Sequence, residues 1–415
     1  MKQVKGYTIL QKQELKELNA TGYLLEHDKT KAKVAAIETT DDNKVFSIGF
    51  RTPPKDSTGV AHIVEHTVLC GSKEFPVKDP FIELAKGSLN TFLNAMTYPD
   101  KTVYPVASCN DKDFQNLMHV YMDAVFYPNI YKEEKIFKQE GWHYHLDSVD
   151  GPLTYNGVVF NEMKGVFSSP EQLIERKIQQ SLYPDTSYGF ESGGDPVDIP
   201  NLTYRDYLDF HSKYYHPSNS YIYLYGDMDM EEKLLWLDKE YLSAYDKNDY
   251  NLDSSIALQK PFSEPVEKET VYSVTANEGT EDNTYLSLNT VVGTDIDPVL
   301  YVAFQILDYT LISAPGAPLK QALIDAHIGQ DIMGGYENGI LQPYFSVIAK
   351  NADGSQKEAF LKTVKETLKK LADDGINQKS LLAGINYYEF RYREADFGNF
   401  PRGLMYGLQM FDSWL

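Results

Sequence analysis

The sequence predicts an α+β protein in two parts, each a sheet covered by helices. Three observations carry this. Apolar runs of strand length at 32–40 and 45–52 precede a capped helical stretch at 60–69. A polar segment at 243–266, with Asn248, Asn251, Ser254, Ser255, Pro261 and Pro265, then breaks the pattern, so we place the boundary near 258. Beyond it the order strand, strand, helix returns at 270–275, 284–292 and 297–311. We take this as a divergent repeat of one architecture, giving parts 1–258 and 259–415.

The elements follow in order. Strands 32–40 and 45–52 flank the turn-forming Asp41, Asp42 and Asn43. Ser57, Thr58 and Gly59 cap a helix from Val60 that Gly71 ends. A helix is expected at 80–93 and a strand at 102–107. Helix 111–126 has acidic caps and stops before Pro128. Strand 142–149 leads to helices 157–167 and 171–181, separated by Pro170. Helix 203–214, strand 220–225 and helix 230–241 complete the first part. In the second, strands near 330–334 and 343–349 precede helices 355–373 and 378–393. Residues 403–415 are apolar at helical spacing and end without a polar tail. They read as a chain continuing beyond Leu415, or as a docked terminal helix.

Composition narrows the function. With 39 Lys plus Arg against 60 Asp plus Glu, the formal charge of −21 repels nucleic acid and anionic membranes. Such a surface is first of all solubilising, and would attract basic peptides. Two cysteines, Cys70 and Cys109, make no disulfide framework and fit a reducing compartment. We see no signal core, Arg-rich transit segment or bilayer-spanning apolar run. The expectation is a cytoplasmic protein, the alternative being a mature form in a mitochondrial or other organelle matrix.

The strongest chemical signal is His62-Ile63-Val64-Glu65-His66. On a helix, positions i and i+4 share a face about 6 Å apart along the axis, so two imidazoles can chelate one zinc. Glu65 lies three residues after His62 and shares that face. Its carboxylate can serve an attacking water without being a ligand, the inverted order of the common zinc-helix motif. Ile63, Val64 and Leu69 can pack backwards. Catalytic zinc takes three protein ligands and keeps one position open. Spacing alone leaves Glu140, Glu162 and Glu171 as candidates for the third. Other features read as structural. His143 and His145 alternate on a strand, but two donors make no zinc site. Gly329, Gly334, Gly335 and Gly339 lack the fingerprint of a phosphate cradle and read as a hairpin. Cys70 reads as a small core residue.

Residues 61–108 (AHIVEHTVLCGSKEFPVKDPFIELAKGSLNTFLNAMTYPDKTVYPVAS) and 153–170 (LTYNGVVFNEMKGVFSSP) resemble the insulinase-type zinc peptidases, and within them the presequence protease branch. The resemblance is dense over about 60–170 and diffuse beyond. It implies two structurally similar domains with mostly antiparallel sheets. It also implies zinc held by His62, His66 and Glu162, with Glu65 as general base. Some members carry an acid seven positions before the zinc-binding Glu; here Tyr155 stands there. Asn94, Ala95, Met96 and Thr97 resemble the family's edge strand, which pairs with the backbone of a bound peptide.

The resemblance further implies a second half of similar size in the same polypeptide. That half would supply a substrate-positioning Arg and Tyr and help enclose a chamber admitting only unstructured peptides. The expected function is zinc-dependent hydrolysis of short unstructured peptides, with weak or no activity from this segment alone. The alternatives are a subunit that captures peptides on the same edge without cutting them, and a structural zinc protein. Retention of His62, Glu65, His66 and Glu162 argues against the first for the parent protein, and a structural zinc favours four ligands, often Cys, with no nearby free Glu.

Overall fold

The computed structural model describes residues 1, 3–78, 80–275, 279, 281–394 and 397–415, and these form two compact units. The first holds Met1–Phe167, Phe190–Ala257 and Phe397–Leu415. Its main sheet contains β1 (Tyr7–Leu15), β2 (Ala20–His27), β3 (Lys33–Glu38), β4 (Lys44–Arg51), β5 (Asn90–Leu93), β6 (Met96–Thr97) and β7 (Lys101–Ser108). A small hairpin of β8 (His143–His145) and β9 (Thr154–Asn156) stands apart, and β10 (Ser220–Gly226) returns to the main sheet. The order is β1-β2-β3-β10-β4-β7-β5, with β6 beside β5 on the same side of β7. Among the described residues, only β3–β10 is parallel.

Side chains alternate between the two faces of these strands, and both faces are covered. Val34, Ala36, Phe46, Ile48, Phe50, Tyr104 and Val106 point into the larger core. That core is roofed by α1 (Val60–Val68), α3 (Asp111–Phe126), α4 (Glu134–Glu140), α5 (Val158–Val166), α7 (Tyr204–Tyr214) and α8 (Met230–Glu240), while α2 (Pro80–Gly87) precedes β5. Each apolar side chain fully buried there contributes about 1.5–3 kcal/mol. Ala35, Ile37, Val45, Val103, Tyr221, Tyr223 and Tyr225 point the other way, against Leu404 and Phe411 of α13 (Arg402–Trp414).

This helix approaches the sheet closely because it presents glycines. A Cβ at Gly403 would lie 2.1 Å from the Tyr225 ring, and one at Gly407 2.6 Å from the Tyr223 ring. Tyr223 Oη donates to Gly403 O at 2.9 Å, and Arg402 Nε to Asp41 Oδ2 at 2.6 Å. Residues 397–415 therefore pack with the first sheet, whereas a single cut at 258 assigns them to the second part. Without them a face carrying Tyr221, Tyr223 and Tyr225 would meet water.

The second unit holds Ser168–Gly189 and Leu258–Asp396. Its sheet is antiparallel, in the order β11 (Thr284–Val291), β13 (Tyr344–Ala352), β12 (Asp331–Glu337). Leu286, Leu319, Leu323, Ile332, Val347, Phe360 and Val364 form its core. The helices are α6 (Pro170–Leu182), α9 (Pro298–Asp308), α10 (Pro318–Asp325), α11 (Lys357–Asp374) and α12 (Gln378–Glu394). The 168–189 segment joins this unit through polar contacts. Glu171 accepts from Tyr285 Oη at 2.7 Å and pairs with Lys350, and Leu341 N donates to Tyr188 Oη at 2.9 Å.

The structure departs from the sequence expectations at further points. Helix 80–93 ends at Gly87, and Asn90–Leu93 is a strand, its Thr91 and Phe92 suiting the pleat. The N-terminal hairpin β1–β2 was not expected, because β1 is an edge strand whose Lys and Gln residues hide the alternation. Residues 270–275 form no strand, and Val271 is exposed, so the first strand expected of the second part is missing among the described residues. Finally, 298–325 is apolar and long enough by composition to cross a membrane. Residues 314–317 divide it into separate helical pieces. The α+β class itself stands. Cys70 and Cys109 are both free thiols.

Candidate metal centre

The site is assembled on α1. Ile63, Val64 and Val68 are fully buried beneath this helix, which turns His62, Glu65 and His66 to its opposite side. Thr67 Oγ1 donates to Ile63 O at 2.7 Å and accepts from Tyr207 Oη at 2.6 Å, fixing the last turn against α7. Two further helices converge here because of one close backbone approach. Gly157, which caps α5, packs so tightly on the end of α4 that a Cβ there would lie 2.1 Å from Gly141 O. This brings Glu140 of α4 to His66 and Glu162 of α5 to both histidines.

Both imidazoles direct Nε2 at one carboxylate oxygen. His62 Nε2 and His66 Nε2 each lie 3.7 Å from Glu162 Oε2, and the three donor atoms fall within 4.8 Å of one another. These separations exceed a hydrogen bond. The two 3.7 Å separations are shorter than twice a zinc–ligand distance of about 2.0–2.1 Å, as for donors grouped around one cation. The remaining ring nitrogens are engaged elsewhere. His62 Nδ1 lies 3.0 Å from Gly193 O, and His66 Nδ1 lies 3.4 Å from Glu140 Oε2. Nδ1–H donation to these oxygens leaves both Nε2 lone pairs free for a metal. The residues present thus fit a divalent cation with two nitrogen donors and one oxygen donor.

Electrostatics agree with this arrangement. Burial alone would lower the His66 pKa, but the hydrogen bond to Glu140 and the charges of Glu65, Glu140 and Glu162 outweigh it and raise it. Burial would raise the Glu140 pKa, yet the His66 and Gln139 hydrogen bonds hold it below the usual carboxylate range. The pocket favours positive charge, which a proton on His66 or a bound cation can supply. Glu65 is 8% exposed and makes no hydrogen bond among the described residues. Burial raises the phenols of Tyr98, Tyr104 and Tyr121, and the charge of Glu65 adds to each shift.

The structure thus gathers His62, His66 and Glu162 and sets Glu65 on the same helix. Glu140, left open as a third ligand by spacing, instead supports His66, and Glu171 belongs to the second unit. Tyr155 packs against Trp142, Tyr144 and Phe160. Met96–Thr97 forms β6, while Asn94 and Ala95 occupy the break between β5 and β6. His143 Nδ1 meets Lys138 O, and His145 Nε2 meets Asp147. Cys70 Sγ donates to His66 O. Gly334 and Gly335 lie within β12. Sequence reasoning missed the supporting roles of Glu140 and Gly193. No spacing rule marks the first, and a backbone carbonyl has no side-chain signature.

Two family descriptions match the chain. Residues 43–151 match the insulinase family (peptidase family M16), and 201–388 match the peptidase M16 inactive domain. Protein HypA of Clostridium perfringens is 52% identical over 410 residues, covering 99% of this chain and 42% of that protein. Presequence protease 1, chloroplastic/mitochondrial, of Arabidopsis thaliana is 43% identical over 412 residues, covering 99% of this chain and 38% of that protein. The chain therefore spans about two fifths of the length of these curated relatives. A protease structure from Helicobacter pylori superposes with a TM-score of 0.69 at 16% identity, covering 94% of this chain and 89% of that one. Pitrilysin superposes at 0.64, also at 16% identity, covering 95% of this chain and 41% of that one. These two likenesses concern the fold. Fold, family matches and relatives agree: the chain belongs to the insulinase-type (M16) peptidases and is related to the presequence proteases.

Proposed function

We propose that this chain is the catalytic portion of a zinc-dependent endopeptidase for short unstructured peptides, working within a longer two-half polypeptide. One observation carries the reading. Two imidazole nitrogens and one carboxylate oxygen converge from separate helices, with the buried Glu65 carboxylate on the same helix as both histidines. His62, His66 and Glu162 would hold zinc, leaving a position open. When bound, zinc would supply Lewis-acid polarisation of the scissile carbonyl and acidify the attacking water. Glu65 takes a proton from that water and returns it to the leaving amine. Glu140 and Gly193 O keep the two rings in the tautomer that presents Nε2. The edge at Asn94, Ala95, Met96 and Thr97 receives an extended peptide as an added strand.

The match to the inactive domain covers 201–388 and so includes none of these residues. We place the protein in a reducing compartment, cytoplasm or organelle matrix, in keeping with its two free thiols. The test combines metal analysis with peptide cleavage, using the chain joined to the remainder of its polypeptide. Glu65→Gln should keep zinc and lose turnover, and His66→Ala should lose zinc. Cleavage by Glu65→Gln at the parental rate would refute the mechanism.

A further inference from the structure

We propose that the Tyr121 phenol aims the Ala95 amide out of the open edge of the first sheet, making Tyr121 a positioning residue for peptide capture. This rests on the edge-strand reading above and adds the device that sets the edge. β7 has neighbours on both sides, β4 on one and β5 with β6 on the other. Pro105 sits in its middle, opposite Ser47 of β4. On the other side Leu93 pairs with Val106 and Met96 with Val103, so the same register sets Asn94 opposite Pro105. Asn94 N donates to Pro105 O at 3.4 Å. An antiparallel pair of this kind exchanges two bonds, but the returning one needs an N–H that proline lacks. Because residue 105 directs its backbone groups toward β5 and β6, the ladder to β4 runs unbroken from Lys44 to Arg51.

The missing donor leaves the Asn94 carbonyl without a strand partner. Tyr121, fully buried on α3, fills the vacancy: its Oη donates to Asn94 O at 3.1 Å. The peptide unit makes this matter. The Asn94 carbonyl and the Ala95 N–H belong to one planar trans group and point opposite ways. Holding the carbonyl inward therefore holds the N–H outward. Tyr98 N bonds to Lys101 O at 2.8 Å, so bonding toward β7 falls on positions 94, 96 and 98. Ala95 and Thr97 then carry their backbone groups to the open side. Ala95 N makes no hydrogen bond among the described residues. It is a donor set for the carbonyl of an incoming extended peptide. Without the phenol this peptide plane is free to rotate, and the first donor of the edge loses its aim.

The experiment measures binding of a short fluorescent unstructured peptide to the zinc-loaded chain, with Glu65→Gln throughout to prevent cleavage. Adding Tyr121→Phe should weaken binding by about tenfold, the loss of one aligned hydrogen bond, with zinc content unchanged. Adding Pro105→Ala to Tyr121→Phe returns an N–H opposite Asn94 O and should restore binding. Parental affinity in a zinc-replete Tyr121→Phe protein overturns the inference, as does failure of the double substitution to restore binding. If Tyr121→Phe alone does not fold, the double variant still decides, since its Asn94 carbonyl again has a donor. The same peptide with its backbone N-methylated tests the underlying reading. If the parent binds it undiminished, edge pairing itself fails. If only Tyr121→Phe is silent, this inference alone fails.

Discussion

Among single residues, Glu140 separates support of a metal site from membership in it. Its carboxylate reaches His66 Nδ1 and not the cluster of Nε2 and Oε2 atoms. A hydrogen bond of this kind fixes the ring and raises its basicity as a ligand. Glu140→Ala should therefore weaken zinc binding about 10–100-fold while all three ligands remain. Glu140→Gln keeps an oxygen acceptor at the same reach and should recover much of the loss. Competition against a chelator of known affinity reads both. Equal zinc affinity in parent and Glu140→Ala would remove the residue from the site. The sequence made the ligand pair legible because a helix imposes its own geometry on positions 62, 65 and 66. Glu140 stayed ambiguous because its reach to His66 depends on how α4 meets α5, which no local rule encodes.

Periodicity tells what an element is more readily than what it packs on. The stretches 60–69, 111–126 and 203–214 show an apolar stripe with caps, and all three are helices. The break at 94–95 was illegible because its cause, Pro105, lies on the neighbouring strand. The helix at 403–415 was legible as a helix, but its partner sheet was not. That docking carries a sign test. Alanine is the better helix former by about 1 kcal/mol. At Gly407, however, an added methyl would sit 2.6 Å from the fully buried Tyr223 ring, and overpacking of this kind costs about 1–3 kcal/mol. The clash prevails, so Gly407→Ala should lower the unfolding midpoint. Gly165→Ala in α5 has open space around its Cβ and should raise it. A stabilising Gly407→Ala would mean that α13 does not rest on Tyr223.

At the level of the whole chain, the two units share no core cluster among the described residues, and the three candidate metal ligands lie in the first. A ligand stabilises only what it binds, by about 4 kcal/mol at a thousandfold excess over its dissociation constant. Residues 168–189 and 397–415 interleave the units along the sequence without merging their cores, so covalent connection need not make unfolding a single event. Calorimetry of the metal-free chain should therefore resolve two transitions. Zinc should raise one of them by on the order of 10 °C and leave the other in place. Glu162→Ala should abolish the shift without altering the silent transition, which belongs to the unit built on Leu319, Val347 and Phe360. A single transition that moves as a whole with zinc would show that the two cores unfold together. The metal site would then stabilise the second unit as well, despite contributing no ligand from it.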